Sequence, residues 1–309
     1  MNTDTSTYHL PVLTAAVGAW AAGSRRAVDA TVGGGGHAAL LRTAGAEVLA
    51  IDRDPDAIAA ASARLGHGGI TYLTTAFGDP AALDAVRAFR PDRILLDLGL
   101  SSHQVDSAPR GFTFRPDAPL DMRMTAGQGP TAGDLLNSWP EERLATGFAD
   151  YADTPPPKAR RLARAIVRRR LRAPFRTSDD FVNAIRETLG PRSGPADFAR
   201  LFQALRIAVN GELDQLEAAL PALRDALVPG GRLGIIAYHS GEDRIVKHAF
   251  LGWAKSCICP PRQPVCTCRK HPLGRVLEKK GIRPDAAELQ ANARARSATF
   301  RAFQVNDGP

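Results

Sequence analysis

Short apolar runs alternate with helical stretches through the first hundred residues, and this alternation limits the possible folds more than any other feature. A run ending at Asp29 is followed by a glycine loop and a helix, and a second run ends at Asp52. Two further runs each follow a helical stretch. Strands separated by helices of this length predict a doubly wound, parallel α/β sheet of Rossmann-like type. The four predicted strands are RAVDA, EVLAIDRDP, ITYLTTAF and DRILLDLGL.

The alternation stops after the fourth run. Residues 109–205 contain no convincing strand, only loop and short helical patterns. The α/β pattern resumes with an amphipathic helix predicted from Phe198 to Leu227, then the strand RLGIIAYHS and the strand-like segment SATFRAFQV. We therefore expect an all-helical insertion over 109–205, within a sheet domain formed by 1–108 and 206–309.

The charge of the chain favours a polyanionic partner. The formal net charge is +8, and residues 155–176 hold nine basic residues and no acidic one. Leu162, Ile166 and Leu171 form an apolar stripe in this segment, which predicts an amphipathic helix with a basic outer face. A solvated surface helix is the alternative, but nine uncompensated charges favour phosphate binding. The candidate contacts are Arg161, Arg168, Arg169 and Arg170.

A second set of polar residues lies on the long helix. Gln203, Arg206 and Asn210 fall at i, i+3 and i+7 and are flanked by apolar residues. Arg206 and Asn210 are therefore further candidates for contact with a polyanion. A solvated helix face explains the spacing equally well.

Neither end-to-end hydropathy nor the first residues indicate a membrane. The chain has no run of about 18 apolar residues, and its first residues, MNTDTSTYHLPVL, lack the basic-then-apolar layout of a signal peptide. We therefore expect a cytoplasmic enzyme without a membrane span.

Four cysteines lie close together in CICPPRQPVCTC. They are Cys257, Cys259, Cys266 and Cys268. Clustered cysteines indicate zinc, a disulfide or reduced structural thiols, and the C-x-C spacing differs from the C-x₂-C of common zinc knuckles. The spacing favours reduced thiols and no metal, although it leaves metal binding open.

The loop DATVGGGGH predicts a site for an adenosine-containing cofactor. Glycines between a strand and a helix allow the backbone to approach a ligand closely, and Asp52 is placed to accept hydrogen bonds from ribose hydroxyls. The loop departs from a strict G-x-G-x-x-G, and the VPGG turn before a late strand suits the methyltransferase variant of this architecture. S-adenosylmethionine is therefore favoured over a dinucleotide, and a turn without ligand remains an alternative.

Polar residues follow two predicted strands, the fourth and the fifth. Ligands of open α/β sheets bind beyond the carboxyl ends of the strands, and these two ends are neighbours in the usual strand order. Two polar clusters at adjacent strand ends indicate an active site. The clusters contain Asp97, Ser101, Ser102 and Gln104, and then His239, Ser240, Glu242 and Asp243.

Several stretches resemble the bacterial small-subunit ribosomal RNA cytosine-N4 methyltransferases. They run in the family's order from His9 to Arg301, and the segment RGFTF with PLDMRM is highly specific. The matching stretches are HLPVL, DATVGGGGH, AIDRDP, DLGLSSHQVDSAPRGFTFRPDAPLDMRM, FQALRIAVNGEL, GGRLGIIAYHSGEDRIVK, CICPPRQPVCTC and ARARSATFR.

The resemblance implies a class I methyltransferase sheet with a helical insertion that recognises substrate. It implies methylation of the exocyclic N4 of a decoding-region cytosine in 16S ribosomal RNA within the small subunit. The sequence is compatible with a homodimer and leaves the oligomeric state open. The cofactor contacts that it implies are Gly35, Gly36, His37, Asp52, Phe77, Asp97 and Gln104. The chain departs from the family pattern at Ala16, Ala293 and Gly241, where the family usually has glutamate, proline and leucine.

Among these departures, Gly241 could loosen the loop that holds His239 to Asp243. Two alternatives therefore stay open: a catalytically weakened RNA-binding paralogue, and the same chemistry on another RNA or DNA cytosine. A nicotinamide-dependent dehydrogenase of similar fold is a further rival. Methylation at ring carbon C5 would need a cysteine nucleophile at a strand end, and all four cysteines fall at 257–268. This position of the cysteines favours nitrogen as the methyl acceptor.

Overall fold

The computed structural model forms two compact units. One unit comprises Met1–Gly99 with Leu213–Pro309, and the other comprises Leu100–Glu212. The residues that the structure describes are 11–99, 108–257, 259, 263, 265, 267, 268 and 271–307.

The first unit is built on a seven-stranded sheet in the order β3-β2-β1-β4-β5-β7-β6. Strands β1 to β5 are parallel, whereas β7 is antiparallel to both β5 and β6. The predicted doubly wound sheet is therefore confirmed, with two antiparallel strands added at one edge. The strands are β1 Arg26–Asp29, β2 Glu47–Asp52, β3 Ile70–Thr74, β4 Arg93–Asp97, β5 Arg232–Ala237, β6 Gly274–Val276 and β7 Thr299–Val305.

Helices cover both faces of this sheet, because the central strands are apolar on both sides. On one face Val17, Ala38 and Ala61 belong to a core that includes Trp20, packed edge to face on Phe300. On the other face a second core collects side chains from the remaining long helices. The helices of this unit are α1 Thr14–Ala21, α2 Gly36–Thr43, α3 Pro55–Leu65, α4 Pro80–Phe89, α10 Glu212–Ala226, α11 Ser240–Trp253 and α12 Ala286–Ala291, of which α10 begins at the boundary residue Glu212.

The second unit is helical in its described part, 108–212, where the only β contact is an isolated bridge between Pro119 and Thr177. Its core is centred on three aromatic rings: Phe148 stacks on Phe181 at 5.9 Å, and Phe181 meets Phe202 at 5.1 Å. Its helices are α5 Ala132–Ser138, α6 Glu141–Tyr151, α7 Pro156–Arg170, α8 Ser178–Leu189 and α9 Pro195–Asn210.

The sequence predicts one long helix from Phe198 to Leu227. This prediction is wrong in one respect, because the structure has two helices in this region. Gly211 adopts φ +61° and ends α9, so that α10 begins as a separate helix. A left-handed glycine is a common helix terminator because it lacks a Cβ. The boundary expected after Leu205 thus falls inside α9, which lies in the helical unit along its whole length.

Every helix in the described part of the chain is too short or too polar to span a lipid bilayer.

Candidate active site

The carboxyl ends of β4 and β5 lie side by side, as the sequence predicts. Asp97, the last residue of β4, pairs with Ile236, and the Leu98 N–H donates to the Ile236 carbonyl at 3.0 Å. Beyond the strands the two chains stay close, because a Cβ on Gly99 would lie 2.7 Å from the Tyr238 ring. Asp97, at the end of β4, and the polar residues that follow β5 therefore share one edge of the sheet.

The glycine loop after β1 brings backbone, rather than side chains, to this edge. Gly35 has φ +79° immediately before α2, and a Cβ there would lie 2.9 Å from Leu65 Cδ1. A Cβ on Gly36 would lie 3.0 Å from the Pro11 ring. The absence of a Cβ thus lets the loop pack against Leu65 and Pro11, and the first N–H groups of α2 lie beside the loop.

Asp52 ends β2 and is held rigidly by this loop. Its carboxylate accepts the Gly33 N–H and the Asp54 N–H, each at 2.9 Å. Burial raises the pKa of Asp52 to about 6, although both N–H donors oppose the shift. Two oxygens fixed by backbone donors keep further lone pairs for a ligand hydroxyl.

A buried group of three ionisable residues lies between the glycine loop and β4. His37 Nε2 is 3.3 Å from Asp97 Oδ2, and the Asp97 N–H donates to Thr31 Oγ1 at 2.6 Å. Asp29, at the end of β1, is almost fully buried, and its Oδ2 has no hydrogen-bond partner among the described residues. His37 Nδ1 also lacks a hydrogen bond within the described part of the chain.

The electrostatics of this group are dominated by burial. Burial raises the pKa of Asp29 to about 7, and His37 opposes that rise. Burial alone would lower the pKa of His37, but the carboxylates of Asp97 and Asp29 outweigh it, so that the net shift is upward. Sequence reasoning missed Asp29 as a site residue, although it is the residue that directly precedes the glycine loop.

His239 and Glu242 form the start of α11. His239 is the N-cap, and its Nδ1 accepts the Glu242 N–H at 3.4 Å. The buried Glu242 carboxylate accepts the Tyr238 N–H at 2.7 Å and the His239 N–H at 3.3 Å. Glu242 therefore closes a capping box, and its geometry explains its burial without a reaction. Ser240 is the first residue of α11.

Asp243 forms an ion pair with Arg301 in the last strand, β7. Its two carboxylate oxygens accept Arg301 Nε at 2.6 Å and an Arg301 terminal nitrogen at 2.9 Å. The arginine is buried, and the pair connects the first turn of α11 to β7. Asp243 is thus placed to orient the helix that begins beside the site.

Tyr238, between β5 and α11, is a residue that the sequence analysis passed over. Its hydroxyl is buried, and burial, together with the Asp97 carboxylate, raises the pKa of Tyr238. The only sequence signal for it is its position directly before His239.

The remaining predicted cofactor and acceptor residues are less defined. Phe77 is half-buried against the core on one face of the sheet. The predictions for Ser101, Ser102 and Gln104 lie outside the described residues.

The predicted phosphate-binding arginines fall into different environments in the helical unit. Arg161 and Arg168 are exposed on α7, and Arg169 is half-buried, 4.0 Å from Asp180. A cavity of about 360 Å³ is lined by Ala165, Arg168, Arg169, Arg172, Ala173 and Glu187.

Three other candidates make contacts inside the helical unit. Arg170 donates to the carbonyls of Leu136 and Trp139 at 3.0 and 2.7 Å, close to the carboxyl end of α5. Arg206 forms a bidentate pair with Glu212 at 2.9 and 2.8 Å. The Asn210 amide accepts the Met124 N–H and donates to the Met122 carbonyl, each at 2.8 Å. Each of these three polar side chains is therefore hydrogen-bonded within the helical unit.

The structure has the features of a Rossmann-like methyltransferase. These features are the sheet order, the antiparallel β7 and the glycine loop with its acidic neighbours. The chain belongs to the MraW methylase family, whose model matches residues 6–306.

Relatives at high identity agree with this membership. A ribosomal RNA small subunit methyltransferase H of Gemmatimonas aurantiaca is 53% identical over 304 residues, covering 97% of this chain and 96% of the relative. The protein of the same name from Heliobacterium modesticaldum is 45% identical over 287 residues, covering 90% of this chain and 91% of the relative. An rRNA methylase structure from Streptococcus thermophilus aligns with a TM-score of 0.41 at 12% identity, over 95% of this chain and 93% of that one.

Proposed function

We propose that this protein transfers a methyl group from S-adenosylmethionine to the exocyclic N4 of a decoding-region cytosine in 16S ribosomal RNA. The small-subunit ribosomal RNA methyltransferases to which it is similar support the substrate class. The observation that carries the proposal is the glycine loop bordered by three buried or half-buried carboxylates, Asp29, Asp52 and Asp97.

These carboxylates favour a cationic cofactor. A pyrophosphate at the loop would meet negative charge from Asp52 and Asp97, whereas the sulfonium of S-adenosylmethionine and its amino group carry positive charge. The unpartnered Asp29 oxygen offers a buried acceptor for a ligand donor. We therefore favour S-adenosylmethionine over a nicotinamide dinucleotide.

The residues proposed to hold this cofactor have distinct tasks. The glycine loop and the start of α2, at Gly35, Gly36 and His37, would contact the methionine part. Asp52 would accept ribose hydroxyls, and the half-buried Phe77 ring would cover part of the adenine. Asp97 and Gln104 complete the predicted set.

The bound cofactor would supply an activated methyl group, so that the protein mainly has to align the acceptor. The cytosine amine is a poor nucleophile because its lone pair is conjugated with the ring. Acceptors aimed at its N–H bonds would localise the lone pair and then take a proton. We assign this role to Asp97 and His239 with Ser240, and to Ser101 and Ser102.

The contacts of Glu242 and Asp243 suggest a supporting role for both. Glu242 caps α11 and Asp243 pairs with Arg301, so each would hold His239 and Ser240 at the sheet edge. We accordingly propose that these two predicted catalytic residues act as positioning residues.

We propose that the departure at Gly241 leaves the loop functional. Gly241 is the second residue of α11, and a Cβ there would sit 3.1 Å from both His239 Nδ1 and Leu213 Cδ1. The glycine thus leaves room for the His239 ring, whose Nδ1 accepts the Glu242 N–H and caps the helix. This capping bond favours an active enzyme over the catalytically weakened paralogue.

A base must leave its stack to reach such a site, which requires a grip on the neighbouring backbone. We propose that the cavity beside α7 and the adjoining exposed arginines bind ribosomal RNA phosphates. Arg168 lies 3.5 Å from Glu187, so part of its charge is already offset, whereas Arg161 and Arg172 are exposed.

Methyl transfer to isolated ribosomal subunits tests the reaction and the substrate together. Purified protein would be incubated with methyl-labelled S-adenosylmethionine and small subunits from cells that lack the native modification, with naked ribosomal RNA and DNA as parallel substrates. Label in N4-methylcytidine on the subunits alone is expected. Label at C5, on DNA, or in no nucleoside while the cofactor still binds would contradict the proposal.

Two substitutions at His239 separate chemistry from helix capping. Asparagine is a good N-cap, whereas alanine caps poorly. His239→Asn is therefore expected to keep stability and cofactor affinity but to lower turnover at least about tenfold. Full activity in His239→Asn with loss only in His239→Ala would reduce the residue to a structural cap.

The RNA grip can be tested with matched arginine pairs. Arg168→Gln with Arg172→Gln is expected to weaken RNA binding and to lower the salt slope by about 0.7 to 0.9 for each phosphate that the protein no longer neutralises. The control is Arg87→Gln with Arg90→Gln, which removes two exposed arginines from the sheet unit. Equal affinity of both double variants across a salt series would remove α7 from the proposal.

A further inference from the structure

Three thiols converge in the segment between α11 and β6. The Sγ atoms of Cys257, Cys259 and Cys268 all lie within 4.8 Å of one another. Cys257 is exposed, and the other two are half-buried. Residues from both ends of this segment therefore meet at one point.

The spacing of the sulfurs suits a tetrahedral metal site. Zinc–thiolate bonds of about 2.3 Å place the sulfurs of a tetrahedron about 3.8 Å apart. The three sulfurs lie within 4.8 Å of one another, which is at most about 1 Å more than that edge. A zinc ion can use all three of these sulfurs, whereas one disulfide joins only two.

The described part of the segment has no regular secondary structure and no buried residue. This holds for its described residues between 255 and 272, where Val265 is 70% exposed. Its ends are tied together, since the Leu273 N–H donates to the Trp253 carbonyl at 2.8 Å. A chain of this kind without an apolar core commonly needs a covalent or metal crosslink to adopt one structure.

The composition of the segment selects the type of metal. Residues 255–271 contain no carboxylate, so thiols and one imidazole are the available side-chain ligands. Thiolates bind zinc well and bind magnesium or calcium poorly.

We propose that Cys257, Cys259 and Cys268 bind a Zn²⁺ ion, which crosslinks this segment between α11 and β6. Three thiolates leave one tetrahedral position for a further ligand. The C-x-C spacing favours reduced thiols over metal, because it is unlike that of common zinc knuckles. The close approach of Cys268 to Cys257 and Cys259 outweighs that argument. This site is independent of the proposed methyl transfer.

The test measures metal in the full chain. Protein purified under reducing conditions without chelators or metal-affinity resin is expected to hold about one zinc per chain after gel filtration. Cys257→Ser, Cys259→Ser and Cys268→Ser should each lose most of it. Ser256→Ala and Thr267→Ala, in the same segment, should retain it.

Cobalt substitution and proteolysis report on the site without relying on the stability of the variants. The chelated wild-type protein, reloaded with Co²⁺, should show thiolate charge transfer and the visible bands of tetrahedral cobalt. Trypsin should cleave at the basic residues of the segment after chelation and spare them when zinc is bound.

Three results would overturn the site: wild-type protein without bound metal, serine variants that retain wild-type zinc, or an intact mass that shows a disulfide among these cysteines under native conditions.

Discussion

Replacing Asp29 by asparagine should change how stability depends on pH. Asp29 is almost fully buried, and burial raises its pKa from 3.8 to about 7. Below pH 3.8 the group is neutral in both the folded and the unfolded protein, so burial has no electrostatic cost. As the pH rises to about 7 the unfolded chain ionises first, and stability falls by up to about 4 kcal/mol.

Asparagine has nearly the same shape but does not ionise. The difference in free energy of unfolding, Asp29→Asn minus wild type, should therefore rise by about 2.5 kcal/mol between pH 5 and pH 8. Urea denaturation at several pH values measures this difference directly. Asp84→Asn, which removes an exposed carboxylate on α4, controls for the change in net charge. A difference for Asp29→Asn that does not vary with pH would refute the claim that burial governs this carboxyl.

Other predictions follow from single contacts. Gly35→Ala and Gly45→Ala both place alanine at positive φ and should each cost about 1 to 2 kcal/mol of stability. Only Gly35→Ala, which crowds the loop, should weaken S-adenosylmethionine binding in calorimetry. Equal cofactor affinities of the two variants would exclude the glycine loop as part of the cofactor site. Arg301→Met should cost about 3 kcal/mol in chemical denaturation because it leaves Asp243 without its partner, and Arg301→Met with Asp243→Leu should recover most of that loss. A cost below about 1 kcal/mol would mean that solvent screens the pair. Asn210→Ala should cost about 1 to 3 kcal/mol while leaving RNA affinity of the folded protein unchanged, whereas weaker RNA binding at full stability would restore Asn210 as an RNA contact.

The parallel sheet was predictable from sequence because its signals are local. Each of the first four strands contains a short run of apolar or β-branched residues, and a helical stretch follows the first three. The glycine loop and Asp52 were readable for the same reason, since both lie at strand ends. The usual strand order then predicted that β4 and β5 are adjacent in the sheet.

The roles of polar side chains were much less predictable. Asp243 and Arg301 are 58 positions apart, and Asn210 and Met122 are 88 apart. No local pattern shows that such residues will meet. Arg170 illustrates the difficulty: within the basic segment it has the same character as Arg168, but it donates to backbone carbonyls while Arg168 stays exposed.

Short elements were missed for a related reason. Strand β6 has three residues and exists by pairing with β7 at the sheet edge. A run of that length has no periodicity of its own, so only the partner strand reveals it.

The pair between Asp243 and Arg301 also concerns the order in which the protein is made. Synthesis proceeds from the N-terminus, so that the strands β1 to β5 and the helix carrying His239 emerge before β7. Until Arg301 has been translated, Asp243 lacks its partner in β7, and β5 has no neighbour on its outer side. Nascent chains should therefore acquire the glycine loop early and a firmly held His239 late. Chains interrupted before β7 would contain every residue assigned to cofactor binding and yet lack the anchor that orients the acceptor side of the site.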